Sequence, residues 1–271
     1  MICTCDIYNI LIMPELPDLQ NFSHNLTKVL KGKKLVKLLI VQTKKLNVAA
    51  QQLVDALEGQ VLKEVIRSGK QLHFKFDSDQ TLGLHLMLHG QLHWFEKVNE
   101  NKFTILELHF EGGKGLAVTD FQRQATPTLN PDEAGAPDAL AKQVDYNFWK
   151  AILQQKSAAV KTILLNQDIV RGIGNAYADE ILYQAGLSPF SIANKIPDNY
   201  IKALASSVKK VLVDAGKQIA KIDPEIISGE VRGFLKVHLP KQATTLSGAT
   251  IHQKELSSRK TYYTDEQKVF N

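Results

Sequence analysis

The chain has very little cysteine. Its 271 residues include only Cys3 and Cys5, both at the start. From residue 6 onward this excludes a disulfide framework and a metal site built from thiolates. No apolar run approaches the length of a membrane span. Segment 1–12 has no basic residue and carries Asp6, so it is a poor signal peptide. These absences predict a cytoplasmic protein.

The rest of the composition is ordinary for a soluble globular protein. Hydrophobic residues make up 44% and charged residues 23% of the chain. The length suits one large domain or two modest ones. A formal net charge of +5 weakly favours a polyanionic partner such as nucleic acid.

The most informative short segment is Met13-Pro14-Glu15. A chain that began at Pro14 would carry a secondary amine, a nucleophile that can attack a carbonyl carbon and form an iminium ion. Such an amine titrates near pH ~8, against about 10.4 for lysine, so it is more often neutral. Behind a preceding residue, the same nitrogen is an unreactive amide. We therefore predict that the functional chain begins at Pro14 and that residues 1–12 are an extension or a misassigned start.

Apolar periodicity divides the chain into a strand-rich part and a helical part. Leu19, Phe22 and Leu26 recur at helical spacing and predict a helix over 17–31. Alternating apolar residues predict strands from about 34 to 120, including Leu82, Leu84, Leu86 and Leu88 on one strand. Prolines and a glycine in 126–138 predict a domain boundary. Beyond it, the pattern predicts helices at 146–155, 158–167, 174–185 and 198–220, followed by a strand-like tail at 229–271.

A second strong signal is the turn Gly172-Ile173-Gly174-Asn175 within the long run 166–182. It predicts a tight corner between two helices, with Asn175 opening the second. Glycines allow close approach of the backbone, and N–H groups at a helix start favour an anion such as phosphate. That geometry is typical of contact with the DNA backbone rather than with base edges. An ordinary corner between helices is the alternative.

Together, MPELPD at 13–18 and NQDIVRGIGNAYADEIL at 166–182 resemble the formamidopyrimidine-DNA glycosylase/endonuclease VIII family. The resemblance extends over about 13–271 and implies an α+β fold in three parts. These are an N-terminal β-sandwich domain with an early helix, a helix–two-turn–helix domain and a C-terminal β-hairpin finger. The predicted bounds are 13–130, 140–225 and 229–271, and DNA is expected in the cleft between the two halves.

The resemblance assigns three catalytic residues. Pro14 matches the proline whose amine attacks C1′ of the damaged nucleotide, and Glu15 matches the carboxylate that handles protons. Lys70 matches a lysine on a hairpin turn that contacts the phosphate beside the lesion. Taken alone, Lys70 would be a solvated turn lysine, and Glu15 could simply favour the start of the 17–31 helix.

Three further residues match positions that approach the DNA backbone. Lys161 and Asn175 belong to the helical domain, and Arg259 matches the finger arginine that grips phosphate. Arginine suits that role because its planar guanidinium binds phosphate through two parallel hydrogen bonds. Arg259 alone would be an ordinary surface charge.

The finger departs from the family pattern because its four zinc-binding cysteines are replaced. The replacements are not usual zinc ligands. They predict a finger without zinc and a protein without a cofactor. The four positions are Thr244, Ser247, Thr264 and Gln267.

The side chains that fill the gap left by a flipped base also differ. The family's methionine position falls at Leu88, and its Arg-x-Phe pair falls at Gln122 and Gln124. Arg123 or Phe121 could substitute after a shift of register. The usual lesion and opposite-base preferences therefore do not transfer. His85, His89 and His93 share one side of a predicted strand, which is a weak indication of a metal site.

These observations predict a bifunctional DNA glycosylase and abasic-site lyase of base-excision repair. The condition is that Pro14 is the mature N-terminus. The alternatives are a damaged-DNA-binding protein of the same fold without catalysis, and a lyase that lacks glycosylase activity. The expected partner is damaged double-stranded DNA. The protein is expected to be a monomer, in the cytoplasm and at the nucleoid if bacterial.

Overall fold

The computed structural model describes residues 13–132 and 135–271. The predicted extension over 1–12 lies outside the described residues. The described part comprises two stacked four-stranded sheets, a helical unit and a C-terminal hairpin. The predicted α+β fold class is confirmed.

Helix α1, Leu16–Leu30, opens the N-terminal part, as the helix predicted over 17–31 indicated. It begins with a capping box: Glu15 is the N-cap, and the Asp18 side chain accepts from the Glu15 backbone N–H. Pro17 suits the first turn because its missing N–H would have no helical partner there. Phe22 and Leu26 are buried in the sandwich core.

The sandwich is built from eight strands and one short helix. One sheet has the order β1-β6-β7-β5 and the other β2-β3-β4-β8, and every pair is antiparallel. Helix α2, Ala50–Leu57, interrupts the region predicted as strands, so that prediction was wrong for α2. The strands are β1 Leu35–Ile40, β2 Leu62–Ser68, β3 Gln71–Phe76, β4 Thr81–His85, β5 Gln91–Glu96, β6 Thr104–Phe110, β7 Lys114–Thr119 and β8 Thr126–Leu129.

Two predicted boundaries need correction. Strand β8 begins inside the segment predicted as a domain boundary, and it pairs with β4 as part of the sandwich. Strand β4 ends at His85, so the alternation predicted through Leu88 does not continue. The chain turns there, since Met87 has φ +56° and the Gly90 N–H donates to the Leu86 carbonyl at 2.8 Å. The predicted domain ranges 13–130, 140–225 and 229–271 stay predictions, and the first of them contains β8.

The helical unit has its own core around Trp149 and Tyr177, both fully buried. Its elements match the four predicted helices, although the second is shorter than the predicted 158–167. They are α3 Tyr146–Gln154, α4 Val160–Leu165, α5 Asn175–Gln184, a 3₁₀ turn at Ala193–Lys195 and α6 Asp198–Ile222. Leu16 of α1 belongs to this second core, so α1 joins the two units. Within the described residues, none of the helices has both the length and the apolarity needed to cross a membrane.

The C-terminal hairpin pairs β9, His252–Leu256, with β10, Arg259–Tyr263. Its two-residue turn has positive φ at both Ser257 (+51°) and Ser258 (+59°). That combination belongs to a type I′ turn, whose twist matches the twist of the strands it joins. Strand β10 packs on α5, which brings the hairpin beside the helical unit.

Candidate active site

The Glu15 carboxylate is seated at the start of α5. Its Oε2 accepts from the Gly174 N–H at 2.8 Å, and its Oε1 accepts from the Ala176 N–H at 2.9 Å. The Tyr177 N–H adds a longer contact to Oε2 at 3.3 Å. Glu15 is 4% exposed, so these donors replace the water it gives up. The N–H dipoles of the helix start stabilise a negative charge at this position.

The position of the Glu15 carboxylate explains why residues 172 and 174 are both glycine. It also corrects the prediction that the N–H groups at this helix start bind a phosphate. A Cβ on Gly174 would stand 2.2 Å from the Glu15 carboxyl carbon, and one on Gly172 would stand 2.6 Å from a methyl carbon of Leu16. Gly172 also has φ +104°, which favours glycine. The close approach that these glycines allow is therefore to the protein's own first helix. The helix-start N–H groups receive Glu15 and not a DNA phosphate.

Pro14 lies beside this seat and is buried. The next backbone group is also fixed, because the Leu16 N–H donates to the Gly172 carbonyl at 3.2 Å. The segment that carries Pro14 is thus held by hydrogen bonds to the turn on two successive residues. The predicted nucleophile and the predicted acid–base residue meet the glycine turn at one place.

A buried charge cluster supports the first turn of α1. Asp18 accepts from the Glu15 N–H at 2.9 Å and binds Arg232 through two bonds of 2.7 and 2.6 Å. Burial alone would lower the pKa of Arg232, but the Asp18 carboxylate outweighs it and the pKa is raised. Glu230 lies 3.2 Å from Arg232, yet neither of its buried oxygens has a hydrogen-bond partner among the described residues. Burial raises the pKa of Glu230 to about 8.

Lys70 stands on the two-residue turn between β2 and β3, as predicted. Burial lowers the pKa of Lys70, the nearby Glu15 carboxylate opposes that shift, and the charge of Arg259 adds to it. The charges of Glu15, at the start of α1, and of Arg259, on the hairpin, thus both act on Lys70 of the sandwich. Pro14 is the chain neighbour of Glu15.

His85 joins this group, although sequence reasoning assigned it only to a strand face. It pairs across the sheet with Gln71, the residue after Lys70, and its Nδ1 accepts from the Met87 N–H at 3.0 Å. That bond places the ring proton on Nε2. Burial, and then the charge of Lys70, lower the pKa of His85 to about 4. His85 is thus a neutral donor beside a cation, a role visible only once the strand register is known.

The hairpin brings Arg259 to the site on an exposed position at the start of β10. Asn175 is half-buried, and its Nδ2 donates to the Lys260 carbonyl at 2.9 Å. The Asn175 Oδ1 is buried without a partner in the described part of the chain. Asn175 thus ties α5 to the residue after Arg259, and its contact with DNA stays a prediction.

The prediction that Lys161 binds the DNA backbone is wrong in this structure. Its side chain is fully buried and forms a 2.6 Å ion pair with Asp179. Its Nζ also donates to Thr261 Oγ1 at 2.8 Å, and Asp179 accepts from the Tyr262 N–H at 3.0 Å. An enclosed ammonium cannot reach a phosphate. Lys161 instead anchors β10 to α4 and α5.

The residues predicted to fill a flipped-base gap lie on two neighbouring loops. Leu88 is 44% exposed and Phe121 is 49% exposed, and the Phe121 ring contacts the His89 ring at 4.3 Å between centroids. Gln122 and Arg123 follow on the same loop and are exposed. The buried Asp120 carboxylate organises this loop by accepting from the N–H groups of Gln122, Gln124 and Ala125. The prominent apolar side chains are thus Leu88 and Phe121.

The residues that replace the zinc-binding cysteines form hydrogen bonds or backbone pairs with other parts of the protein. The Gln267 Oε1 accepts from the Thr264 N–H at 2.9 Å, and its Nε2 donates to the Leu187 carbonyl at 2.9 Å. Ser247 Oγ lies 2.8 Å from Thr245 Oγ1, and Thr244 forms an isolated bridge with Thr250. These side chains offer no thiolate or imidazole, so a zinc ion does not fit them. Among the described residues, no cluster of three or more His, Cys, Asp or Glu could hold a metal.

Fold and site together define a class: two-part proteins in which a sandwich bearing Pro-Glu is completed by a helix–turn–helix unit and a hairpin. The model of the formamidopyrimidine-DNA glycosylase N-terminal domain matches residues 13–126. The model of the formamidopyrimidine-DNA glycosylase H2TH domain matches residues 136–225. The chain belongs to the formamidopyrimidine-DNA glycosylase family.

Named relatives extend the match over almost the whole chain. The formamidopyrimidine-DNA glycosylase of Syntrophomonas wolfei is 27% identical over 271 residues, which is 94% of this chain and 99% of that protein. The one from Mycoplasma genitalium is 29% identical over 269 residues, 93% of this chain and 94% of that protein. A solved complex between Lactococcus lactis Fpg and DNA containing an abasic site is similar with a TM-score of 0.83 at 23% identity, covering 93% and 98% of the two chains. At that identity the structural likeness supports the fold.

Proposed function

We propose that this protein is a bifunctional DNA glycosylase and abasic-site lyase of base-excision repair that excises oxidised or ring-opened bases. The observation that carries the proposal is the hydrogen bonding of the Glu15 carboxylate to the start of α5, with Pro14 as its chain neighbour. Lys70 lies within range of the charges of Glu15 and Arg259. A carboxylate next to a potential amine nucleophile, flanked by cations, suits chemistry on a sugar between two phosphates.

The reaction begins when the Pro14 nitrogen donates its lone pair to C1′ of the damaged nucleotide. The glycosidic bond breaks, its electron pair leaves with the base, and the base takes up a proton. Opening of the sugar ring then gives an iminium ion between Pro14 and C1′. This ion acts as an electron sink, so loss of a C2′ proton expels the 3′ phosphate and a second elimination expels the 5′ phosphate. No metal or organic cofactor enters these steps.

In this scheme Glu15 accepts and returns protons at the sugar. Its backbone hydrogen bonds fix the carboxylate, so its position costs little reorganisation during reaction. Lys70 binds the phosphate beside the lesion, and the neutral His85 offers a second donor next to it. Arg259 grips the backbone from the hairpin, while Leu88 and Phe121 fill the space left by the flipped nucleotide.

The nucleophile exists only if the active protein begins at Pro14. With Met13 attached, the Pro14 nitrogen is an amide and the iminium ion cannot form. A protein in that form would retain the groups proposed to contact DNA. It would then correspond to the alternative function, a damaged-DNA-binding protein without catalysis. A lyase confined to abasic sites is the remaining candidate.

We also propose that the hairpin finger keeps its shape without zinc, because hydrogen bonds of Thr264 and Gln267 occupy the ligand positions. The proposed partner is damaged double-stranded DNA, bound by a monomer in the cytoplasm or at the nucleoid. The net charge of +5 supports a polyanionic partner.

Borohydride trapping with protein that starts at Pro14 tests the function. Duplexes carrying an abasic site or an oxidised base are incubated with the protein and reduced, and the covalent adduct is measured by mass. We expect an adduct at Pro14 on both substrates, and a Glu15→Gln variant should form it far more slowly. Intact mass of the natively expressed protein shows whether the chain starts there.

Each outcome selects one reading. Absence of any adduct defeats both enzymatic readings and leaves a DNA-binding protein. Adducts on abasic DNA alone identify the lyase. Native protein that retains residues before Pro14 excludes Pro14 as nucleophile.

A further inference from the structure

The turn that carries Lys70 is held from outside its own sheet. Ser68 and Gln71 close the turn as a strand pair, and Gly69 has φ +57°. Lys70 is the second residue of this two-residue turn, so it lies at the tip of the hairpin. Without further contacts, such a tip would move more than the strands behind it.

Asp138, on the segment that joins the sandwich to the helical unit, binds the turn and the strand that leads into it. Its Oδ2 accepts from the Gly69 N–H at 3.1 Å, and its two oxygens pair with both terminal nitrogens of Arg67. The Arg67 guanidinium also donates to the Gly69 carbonyl at 3.1 Å. Its Nε reaches Gln20 Oε1 on α1 at 3.1 Å. Turn, first helix and connecting segment therefore share one charged cluster.

Arg171, the residue before the glycine turn, also contacts this turn and forms a parallel β-bridge with Asp138. Its Nη1 donates to Ser68 Oγ at 2.9 Å and its Nε to the Ala136 carbonyl at 2.7 Å. A Cβ on Gly69 would stand 3.1 Å from the Arg171 Cβ, so the packing is tight. The segment that seats Glu15 and the segment that carries Lys70 are thus joined through Arg171.

The Arg67–Asp138 pair is shielded, unlike a typical surface ion pair. The side chains are 6% and 20% exposed, whereas those of Lys63 and Asp79 on a nearby pair are 51% and 95% exposed. Burial alone would raise the pKa of Asp138, but the hydrogen bonds and charge of Arg67 outweigh it and the pKa is lowered. Asp138 is therefore charged at neutral pH and retains its two-point contact with Arg67.

We propose that Asp138 is a positioning residue for Lys70. Its carboxylate fixes the turn through Arg67 and Gly69, and it thereby places the Lys70 ammonium for one phosphate contact. The inference rests on the proposed function for the identity of the phosphate as that of damaged DNA. It differs from a general contribution to stability because its effect on DNA must pass through Lys70.

A double-mutant cycle tests this route. The affinity for an abasic-site duplex is measured against salt for the wild type, Asp138→Asn, Lys70→Ala and the double variant, all starting at Pro14. Loss of one phosphate contact lowers the slope of log K against log salt by about 0.9. We expect this decrease for each single variant and no further decrease for the double variant, because both remove the same contact. The trapping rate should fall roughly tenfold or more in Asp138→Asn and recover partly in Asp138→Glu.

Asp79→Asn is the matched control, since it makes the same charge change at an exposed ion pair on the sandwich. It should leave the slope and the trapping rate unchanged. The inference would be overturned if Asp138→Asn lowered the salt slope equally in the wild type and in the Lys70→Ala variant. It would also be overturned if Asp138→Asn had no effect on the slope. If the wild type binds but forms no adduct, the proposed catalysis fails while the binding cycle still decides the role of Asp138. A wild type without salt-dependent binding overturns both.

Discussion

At the residue scale, the Glu15 carboxylate determines what its neighbours can be. The space beside Gly174 is filled by that carboxyl group and not by solvent. A sequence motif that suggests a ligand-binding loop is here a site of internal packing. The glycine pattern and the Pro-Glu pattern are therefore two halves of one contact between residues 159 positions apart.

Gly174→Ala should disrupt this contact. A Cβ at 2.2 Å from the Glu15 carboxyl carbon forces the carboxylate out of its seat. We expect destabilisation of about 1–3 kcal/mol or more, with loss of borohydride trapping. Urea unfolding and the trapping assay measure the two effects.

The control for this change is Gly216→Ala in α6, where the nearest atom to a new Cβ is Asn21 Nδ2 at 3.8 Å. Alanine is the better helix former there, by about 1 kcal/mol, so this variant should be as stable as the wild type or more so. If the Gly174→Ala protein formed the covalent DNA adduct at the wild-type rate, the Glu15 contact with the start of α5 would not be needed for the reaction.

Glu230 predicts an unusual dependence of stability on pH. Its pKa is raised from 4.5 to about 8 in the folded protein, so the folded state holds a proton that the unfolded chain releases. The stabilising contribution is complete below about pH 4.5 and is lost as the pH rises to about 8, by at most about 1.4 kcal/mol per pH unit. Glu230→Gln removes this loss, so its free energy of unfolding should fall less than that of the wild type between pH 5 and pH 8.

Urea unfolding at several pH values measures the difference for Glu230→Gln. Glu225→Gln, an exposed substitution on the same segment, provides the control. Parallel pH curves for the wild type and Glu230→Gln would show that Glu230 is ionised in the folded protein at neutral pH.

At the scale of elements, periodicity predicted what long amphipathic or alternating patterns encode. Helices α1 and α6 bury one continuous face each, so their spacing alone placed them. Helix α2 was not predicted because only Leu53 and Leu57 of its eight residues are buried, and two residues are too few to establish a helical period. Strand β8 was not predicted because Pro127 suggests a loop. However, β8 lies at the edge of its sheet, where a strand tolerates proline.

The site residues follow the same division. Pro14, Glu15 and Lys70 were placed by motifs, and in the structure the charge of Glu15 acts on Lys70. His85 and Asp138 depend on strand register and on the path of a connecting segment, which no local pattern reports. Lys161 was misassigned because burial cannot be read from a single lysine in a helix of six residues.

The Lys161–Asp179 pair anchors the hairpin, so breaking this pair should strongly lower the free energy of unfolding. Lys161→Met removes the ammonium from a buried pair and leaves the Asp179 carboxylate with only His238 Nδ1, at 2.8 Å, and the Tyr262 N–H, at 3.0 Å, as partners. Removing one partner of a buried ion pair costs about 3–5 kcal/mol. Replacing both partners, as Lys161→Met with Asp179→Leu, should cost less than Lys161→Met alone. Urea unfolding gives both values, and hydrogen exchange of the Tyr262 N–H, which donates to Asp179, reports the local effect.

A double variant at least as unstable as Lys161→Met would argue against an uncompensated charge as the cause. Unchanged exchange at Tyr262 in Lys161→Met would show that the pair does not hold the hairpin. A surface pair provides the comparison: Lys150→Met, opposite the exposed Asp198, should leave the free energy of unfolding close to that of the wild type.

At the scale of the whole molecule, α1 belongs to both cores. Leu16 packs in the helical unit and Leu19 in the sandwich. Asn21 donates to the Gly216 carbonyl within α6, and Asn25 donates to the Ile226 carbonyl just beyond α6. The Asp18–Arg232 pair adds a buried connection between the first helix and the segment that follows α6. The two units should therefore not unfold independently.

We expect a single cooperative thermal transition, with a calorimetric enthalpy equal to the van't Hoff enthalpy. Differential scanning calorimetry measures both quantities. Arg232→Ala, which removes the connection to Asp18, should lower the midpoint and can separate the transition into two. Two resolved transitions in the wild type would show that α1 does not couple the units.

The seat of Glu15 also has a consequence for the order in which the protein matures. The ribosome makes the Pro-Glu segment among the first residues, but the N–H groups that receive Glu15 belong to residues 174, 176 and 177. Domains generally fold from the N-terminus as they emerge. The Glu15 carboxylate therefore remains without its backbone donors until well over half of the chain has been synthesised. A chain released early would carry Pro14 and Glu15 but not the helix start that fixes them.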